Sequence, residues 1–154
     1  MTDLTERFSK LKVSVRGQET SVHKPLLVLY ALGQLYGSKR HMLPYEEIDR
    51  QLSRLLSDHG PSRKTIHTVY PFWRLQNDGI WTVDVQGGLK AHDKKMDPRK
   101  TELIAVGATG GFVSEIYEGL CANPDLILTI ARGLATKYFA ETNRAKVLAS
   151  VGLH

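Results

Sequence analysis

Residues 70–81, Tyr70-Pro71-Phe72-Trp73-Arg74-Leu75-Gln76-Asn77-Asp78-Gly79-Ile80-Trp81, restrict the fold of this chain more than any other stretch. Asn77-Asp78-Gly79 is a strong turn signal, because glycine enters positive φ without a Cβ penalty. Apolar and aromatic runs on either side predict a short β-hairpin, with strands over about 66–75 and 80–85. Strand alternation would put Tyr70, Phe72 and Arg74 on one face and Pro71, Trp73 and Leu75 on the other. Proline has no N–H to give a ladder, so Pro71 belongs at an edge or a bulge. A bulge would let Tyr70 and Pro71 share an exposed, concave edge with Trp73 as anchor. The plainer alternative makes Phe72, Leu75, Ile80 and Trp81 simply core.

The remaining chain carries helical periodicity. Leu4, Phe8 and Leu11 predict a helix over about 2–13. Pro25 suits a first helical turn, and the apolar residues after it continue to about Gly37. Pro44 opens a third helix with Ile48, Leu52, Leu55 and Leu56 on one face, stopped by His59-Gly60-Pro61. A short helix over about 99–106 leads into a loop, Gly107-Ala108-Thr109-Gly110-Gly111, and a helix from Phe112 to Leu120. Asn123-Pro124 starts a helix that turns Leu126, Ile127, Ile130, Leu134 and Tyr138 inward, and a last helix covers about 143–151. The expected class is mainly α with a small β-hairpin (α+β), a winged-helix-like helical domain.

Length and charge narrow the function. The chain has 154 residues, 42% of them hydrophobic, which fits one globular domain spanning 1–154. With 21 Lys+Arg against 16 Asp+Glu, the net charge is +5, a surplus that favours polyanionic partners without requiring them. Cys121 is the lone cysteine, which excludes a disulfide framework and a cysteine-based zinc site. No apolar run approaches the length of a bilayer span, and Met1 to Arg7 lacks a secretory layout. A cytoplasmic, bacterial-type protein without membrane contact is expected.

Catalytic chemistries find little purchase. The six histidines show no close ligand spacing, and no Glu-x-Lys accompanies an acid as in two-carboxylate nucleases. No Gly-x-Ser-x-Gly elbow occurs, and Cys121 lies in an apolar helical stretch that suits a buried filler. No catalytic residue, metal site or cofactor is therefore expected. The Gly107–Gly111 loop could expose N–H groups to a phosphate, but it matches neither phosphate-loop fingerprint, and an ordinary glycine-rich turn is the plainer reading. His23-Lys24 stands ahead of a helix start, equally consistent with a DNA phosphate contact and with a solvated linker. Basic residues cluster from Lys90 to Lys100, including Lys94 and Lys95, and Arg63-Lys64 precedes the aromatic segment. Such runs are usually solvated faces, yet they are also what a backbone-tracking surface needs.

Tyr70-Pro71-Phe72 running into Arg74-Leu75-Gln76-Asn77-Asp78-Gly79-Ile80-Trp81 resembles the sulfur-binding domain of phosphorothioate-dependent type IV restriction endonucleases. His23-Lys24-Pro25-Leu26-Leu27 and Thr109-Gly110-Gly111-Phe112 look like further landmarks of that family. The resemblance implies a module that recognises double-stranded DNA in which sulfur replaces a non-bridging phosphate oxygen. It implies that Tyr70, Pro71 and Arg74 line a shallow apolar cavity for the sulfur. By the same resemblance His23 and Lys24 touch DNA, and Thr109, Gly110 and Gly111 approach the modified backbone. Arg63, Lys64, Lys94 and Lys95 are candidate backbone contacts. Full-length relatives carry an HNH nuclease domain, expected to be absent from this chain and supplied C-terminally or separately.

The chemistry is coherent. Sulfur is larger, more polarizable and more weakly hydrated than oxygen, so drying it costs less. An ordinary phosphate oxygen left unpaired in the same notch would cost ~1–3 kcal/mol. The rival expectations are a winged-helix transcriptional regulator binding unmodified DNA, through the third helix and the hairpin, and a small nuclease with an unrecognised metal site.

Overall fold

The computed structural model describes residues 4–13, 15–16, 19–60, 67–85 and 97–153. The expected backbone contacts Arg63, Lys64, Lys94 and Lys95 lie outside these residues. Helix α1 is Leu4–Ser9, followed by a two-stranded ribbon of β1 (Val15–Arg16) and β2 (Glu19–Thr20). Helix α2, His23–Ser38, runs through the middle of the core, with Leu26, Leu27, Val28, Leu29 and Leu32 fully buried. A helix apolar on every side must be surrounded, and α3 (Tyr45–His59), α4 (Val69–Arg74) and α7 (Pro124–Tyr138) pack around it. Helices α5 (Lys100–Ala105), α6 (Ser114–Ala122) and α8 (Glu141–Ser150) complete a mainly α fold. No helix among the described residues is long and apolar enough to cross a membrane.

One small sheet organises the functional half. Strand β5, Thr109–Phe112, lies between β3, Leu43–Pro44, and β4, Trp81–Asp84, all antiparallel. Gly110 pairs with Leu43 on one side and Val83 on the other, while Trp81 faces Phe112. The last three residues of the expected glycine-rich loop, Thr109 to Gly111, thus belong to the central strand, while Gly107, in a turn, and Ala108 lead into it. The strand's glycines answer to packing. A Cβ on Gly110 would sit 2.6 Å from Phe72 Cε2 and 2.8 Å from Trp81 Cζ2, and one on Gly111 would meet the His41 carbonyl oxygen.

The expected hairpin is corrected as well. Residues 69–74 are helical, and a 3₁₀ turn, Leu75–Asp78, carries the chain to Gly79 at φ 78° and on into β4. Pro71 explains the difference. It is the third residue of α4, where the N–H has no intrahelical acceptor, so proline costs nothing there. Phe72 makes the first i→i−4 bond of the helix, donating to the Thr68 carbonyl at 3.2 Å. The Asn77-Asp78-Gly79 turn exists, but it joins a helix to a strand, and the ribbon that suggested a winged helix is absent among the described residues.

A chain of polar contacts, buried at its Tyr45–Thr68 end, fastens the start of α4 to α3. The Tyr45 hydroxyl meets Thr68 Oγ1 at 2.8 Å, Thr68 donates to Asp49 Oδ1 at 2.7 Å, and Lys100 Nζ reaches Asp49 Oδ2 at 2.8 Å. Elsewhere Tyr30 donates to Glu47 Oε2 at 3.0 Å, and Arg40 pairs with the same carboxylate at 2.9 Å. Burial, then the hydrogen bond to Glu47, pushes the Tyr30 hydroxyl up to about 12. The folded state therefore holds this proton more tightly than the unfolded chain, whose tyrosines titrate near 10. That contribution is complete below pH ~10 and is lost as pH rises through about 12. Urea midpoints should fall across this window, and Tyr30→Phe should flatten the fall.

Candidate nucleic-acid interface

A helix over 69–74, entered from His67 and Thr68, changes which side chains share a face. His67, Tyr70 and Arg74 follow one another at helical spacing and form a continuous stack. The His67 and Tyr70 rings lie 5.2 Å apart, inclined by 29°, and the Arg74 guanidinium carbon lies 4.6 Å from the Tyr70 ring centre. Tyr70 is 43% exposed, one of few large hydrophobics left in solvent. Pro71 behaves differently from its expected place on an open edge: it is buried in the first turn of α4, which its ring helps start. An exposed aromatic ring with a guanidinium over it suits a ligand with both negative charge and apolar character.

Arg74 is not a bare charge. Its Nε lies 3.1 Å and 3.0 Å from the two carboxylate oxygens of Asp97, and Nη2 lies 2.6 Å from Oδ2. These hydrogen bonds raise the guanidinium pKa above its ordinary value against the opposing effect of burial. Lys24 is likewise committed. Its Nζ donates to Asp78 Oδ2 at 2.7 Å, with side-chain exposures of 14% for Lys24 and 0% for Asp78. The other Asp78 oxygen accepts the Lys12 backbone N–H at 2.9 Å. His23 sits beside Lys24 in the first turn of α2, its Nδ1 3.0 Å from Ser21 Oγ.

The fold ties two of the expected segments to α4 and the turn after it. The Lys24–Asp78 pair ties the start of α2 to the turn after α4, and Phe72 on the underside of α4 presses on Gly110 of β5. Thr109 begins β5, half-buried between Pro44 and Asp84, whereas Gly110 and Gly111 are buried in the sheet. Sequence reasoning missed His67 and Asp97. The i, i+3 spacing of His67 and Tyr70 would have exposed the first, had the segment been read as helical; nothing local marks Asp97 as the partner of Arg74.

The family model for the ScoMcrA-like DNA sulfur-binding domain matches residues 1–154. A solved sulfur-binding domain of ScoMcrA complexed with phosphorothioated DNA superimposes with a TM-score of 0.88 at 25% identity, covering 100% of this chain and 98% of that one. The type IV phosphorothioation-dependent restriction endonuclease ScoMcrA itself matches with a TM-score of 0.83 at 25% identity, this chain spanning 33% of its length. The sulfur-binding domain of SprMcrA, also complexed with phosphorothioated DNA, shares the fold with a TM-score of 0.77 at 21% identity, covering 96% of this chain and 91% of that one. No curated protein matches the sequence. These likenesses, and the loss of the hairpin on which it relied, do not favour a winged-helix regulator.

Proposed function

Because this chain belongs to the ScoMcrA-like DNA sulfur-binding domain family, we propose that it binds duplex DNA carrying a phosphorothioate and seats the sulfur against α4. The observation that carries this reading is the exposed Tyr70 ring, stacked on His67 and with the Arg74 guanidinium over it. Tyr70, Pro71 and Arg74 form the shallow apolar cavity. His23 and Lys24 at the head of α2, and Thr109 at the head of β5, hold the flanking phosphates, while Gly110 and Gly111, paired within the sheet, set the position of that strand. Arg63, Lys64, Lys94 and Lys95 add contacts to the backbone. Polar groups in the major groove make recognition depend on sequence context. The domain itself needs no cofactor and performs no chemistry. It serves as the targeting module of a modification-dependent restriction system in the cytoplasm, delivering an HNH nuclease carried C-terminally or separately.

Selectivity arises from unequal drying costs. Tyr70 and Pro71 offer contact to a soft, weakly hydrated sulfur but no hydrogen bond to an oxygen, a difference of ~1–3 kcal/mol, or roughly 5- to 150-fold in affinity. A gel shift with a stereodefined phosphorothioate duplex and its oxygen twin measures this ratio directly. The thioated duplex should bind tens of times more tightly, and Tyr70→Ala should bring the two together. Equal affinity of the unaltered protein for both duplexes overturns the reading.

A further inference from the structure

The Arg74–Asp97 pair raises a question that the stacking alone does not answer: why place a cation beside a cavity meant for an anion and then cancel it? Asp97 takes Nε and one edge of Nη2, between 2.6 and 3.1 Å, so two of the five guanidinium N–H groups are already spent. The acid lies inward, 15% exposed, and the Arg74 side chain outward, 53% exposed, its guanidinium carbon 4.6 Å from the Tyr70 ring centre. A nearby DNA phosphate meets a closed ion pair rather than a full positive charge.

We infer that Asp97 is a specificity-determining residue, which converts Arg74 from a phosphate clamp into a flat wall of the sulfur site and so suppresses binding of ordinary DNA. This rests on the reading that sulfur is seated at Tyr70. A guanidinium is weakly hydrated on its faces, so a neutralised one beside an aromatic ring is nearly as soft a surface as the ring itself. Sulfur, a poor hydrogen-bond acceptor, loses little when the wall withholds donors. A phosphate oxygen loses much, because it gave up strong hydrogen bonds to water on entering. Asp97 thus penalises the wrong ligand more than the right one, which is how specificity is obtained by rejection.

The inference is tested by binding Asp97→Asn to the thioated duplex and its oxygen twin over a series of salt concentrations. Affinity for the oxygen duplex should rise about tenfold, that for the thioated duplex clearly less, so the ratio falls. The slope of log K against log salt for the oxygen duplex should steepen by about one, the signature of a newly recruited phosphate contact. Asp97→Glu, which keeps the charge, should restore the ratio. In an Arg74→Leu background the Asp97→Asn change should no longer lower the ratio of the two affinities, since the selective effect needs both residues. An unaltered protein that discriminates, paired with an Asp97→Asn variant of unchanged ratio and slope, overturns the inference. So does weaker binding of Asp97→Asn to both duplexes, which would make Asp97 a positioning residue for a clamp. An unaltered protein that does not discriminate refutes the sulfur site itself, a distinguishable result.

Discussion

Asp78→Ala should destabilise the protein by roughly 3–5 kcal/mol, as removal of one partner from a buried ion pair does elsewhere. The Asp78 carboxylate has no exposed surface, and Lys24, at 14% exposure, would be left with a charge that neither water nor protein satisfies. Both oxygens are in use, one by Lys24 and one by the Lys12 backbone N–H, so three separate segments loosen together. Lys24→Ala should be comparably damaging for the converse reason, an orphaned carboxylate. The double variant should cost less than the sum of the singles, because no uncompensated charge remains. Urea unfolding measures all three. A loss below about 1 kcal/mol for Asp78→Ala would show that the pair is solvated in solution and does not join α2 to the turn after α4. The same experiment bears on DNA binding, since any weaker binding by Lys24 variants must be read at temperatures where the fold is intact.

Phe72→Ala should cost a similar amount, about 3–5 kcal/mol, through the cavity left under α4. Phe72 is fully buried and meets Tyr45 and Trp81 edge-to-face, with ring centres 4.8 Å and 6.3 Å away. It is the side chain through which α4 rests on the sheet, so its loss should also blunt sulfur preference by freeing the Tyr70 face. Gly110→Ala should cost about 1–3 kcal/mol by overpacking against the same ring. Combined with Phe72→Ala, the alanine methyl enters the space vacated by Phe72, and the pair should be less harmful than their sum. Strict additivity would mean that the Trp81 contact at 2.8 Å, not Phe72, sets the limit at Gly110.

Much of the helical framework was legible in the chain. α2, α3 and α7 announced themselves through proline at the start and apolar periodicity thereafter, and each lies within a few residues of its expected span. The failures have one cause. In residues 66–75 and 107–111, short apolar or glycine-rich segments carry no period of their own, so their state is decided by neighbours. Pro71 was the local clue against a strand, since it costs nothing in a first helical turn. Gly110 and Gly111 read as a loop because the aromatic ring and the carbonyl that demand their small size lie far away in sequence, at Phe72 and His41.

Among the expected site residues, Tyr70 stands exposed beside His67 and Arg74, while Pro71, Gly110 and Gly111 are buried. Arg74 and Lys24 were recognisable as cations, but their partners Asp97 and Asp78 were not.

The order of residues alone was enough to specify a helical, basic protein with a tyrosine–proline step and the landmarks of a DNA sulfur-recognition family, because periodicity, charge and short motifs are properties of neighbouring residues. The folded chain decided that the step opens a helix, that two glycines form the middle of a sheet, and which acids quench which bases. Those outcomes depend on contacts between distant segments, and the free energy of packing and ion pairing exists only once the chain has brought them together.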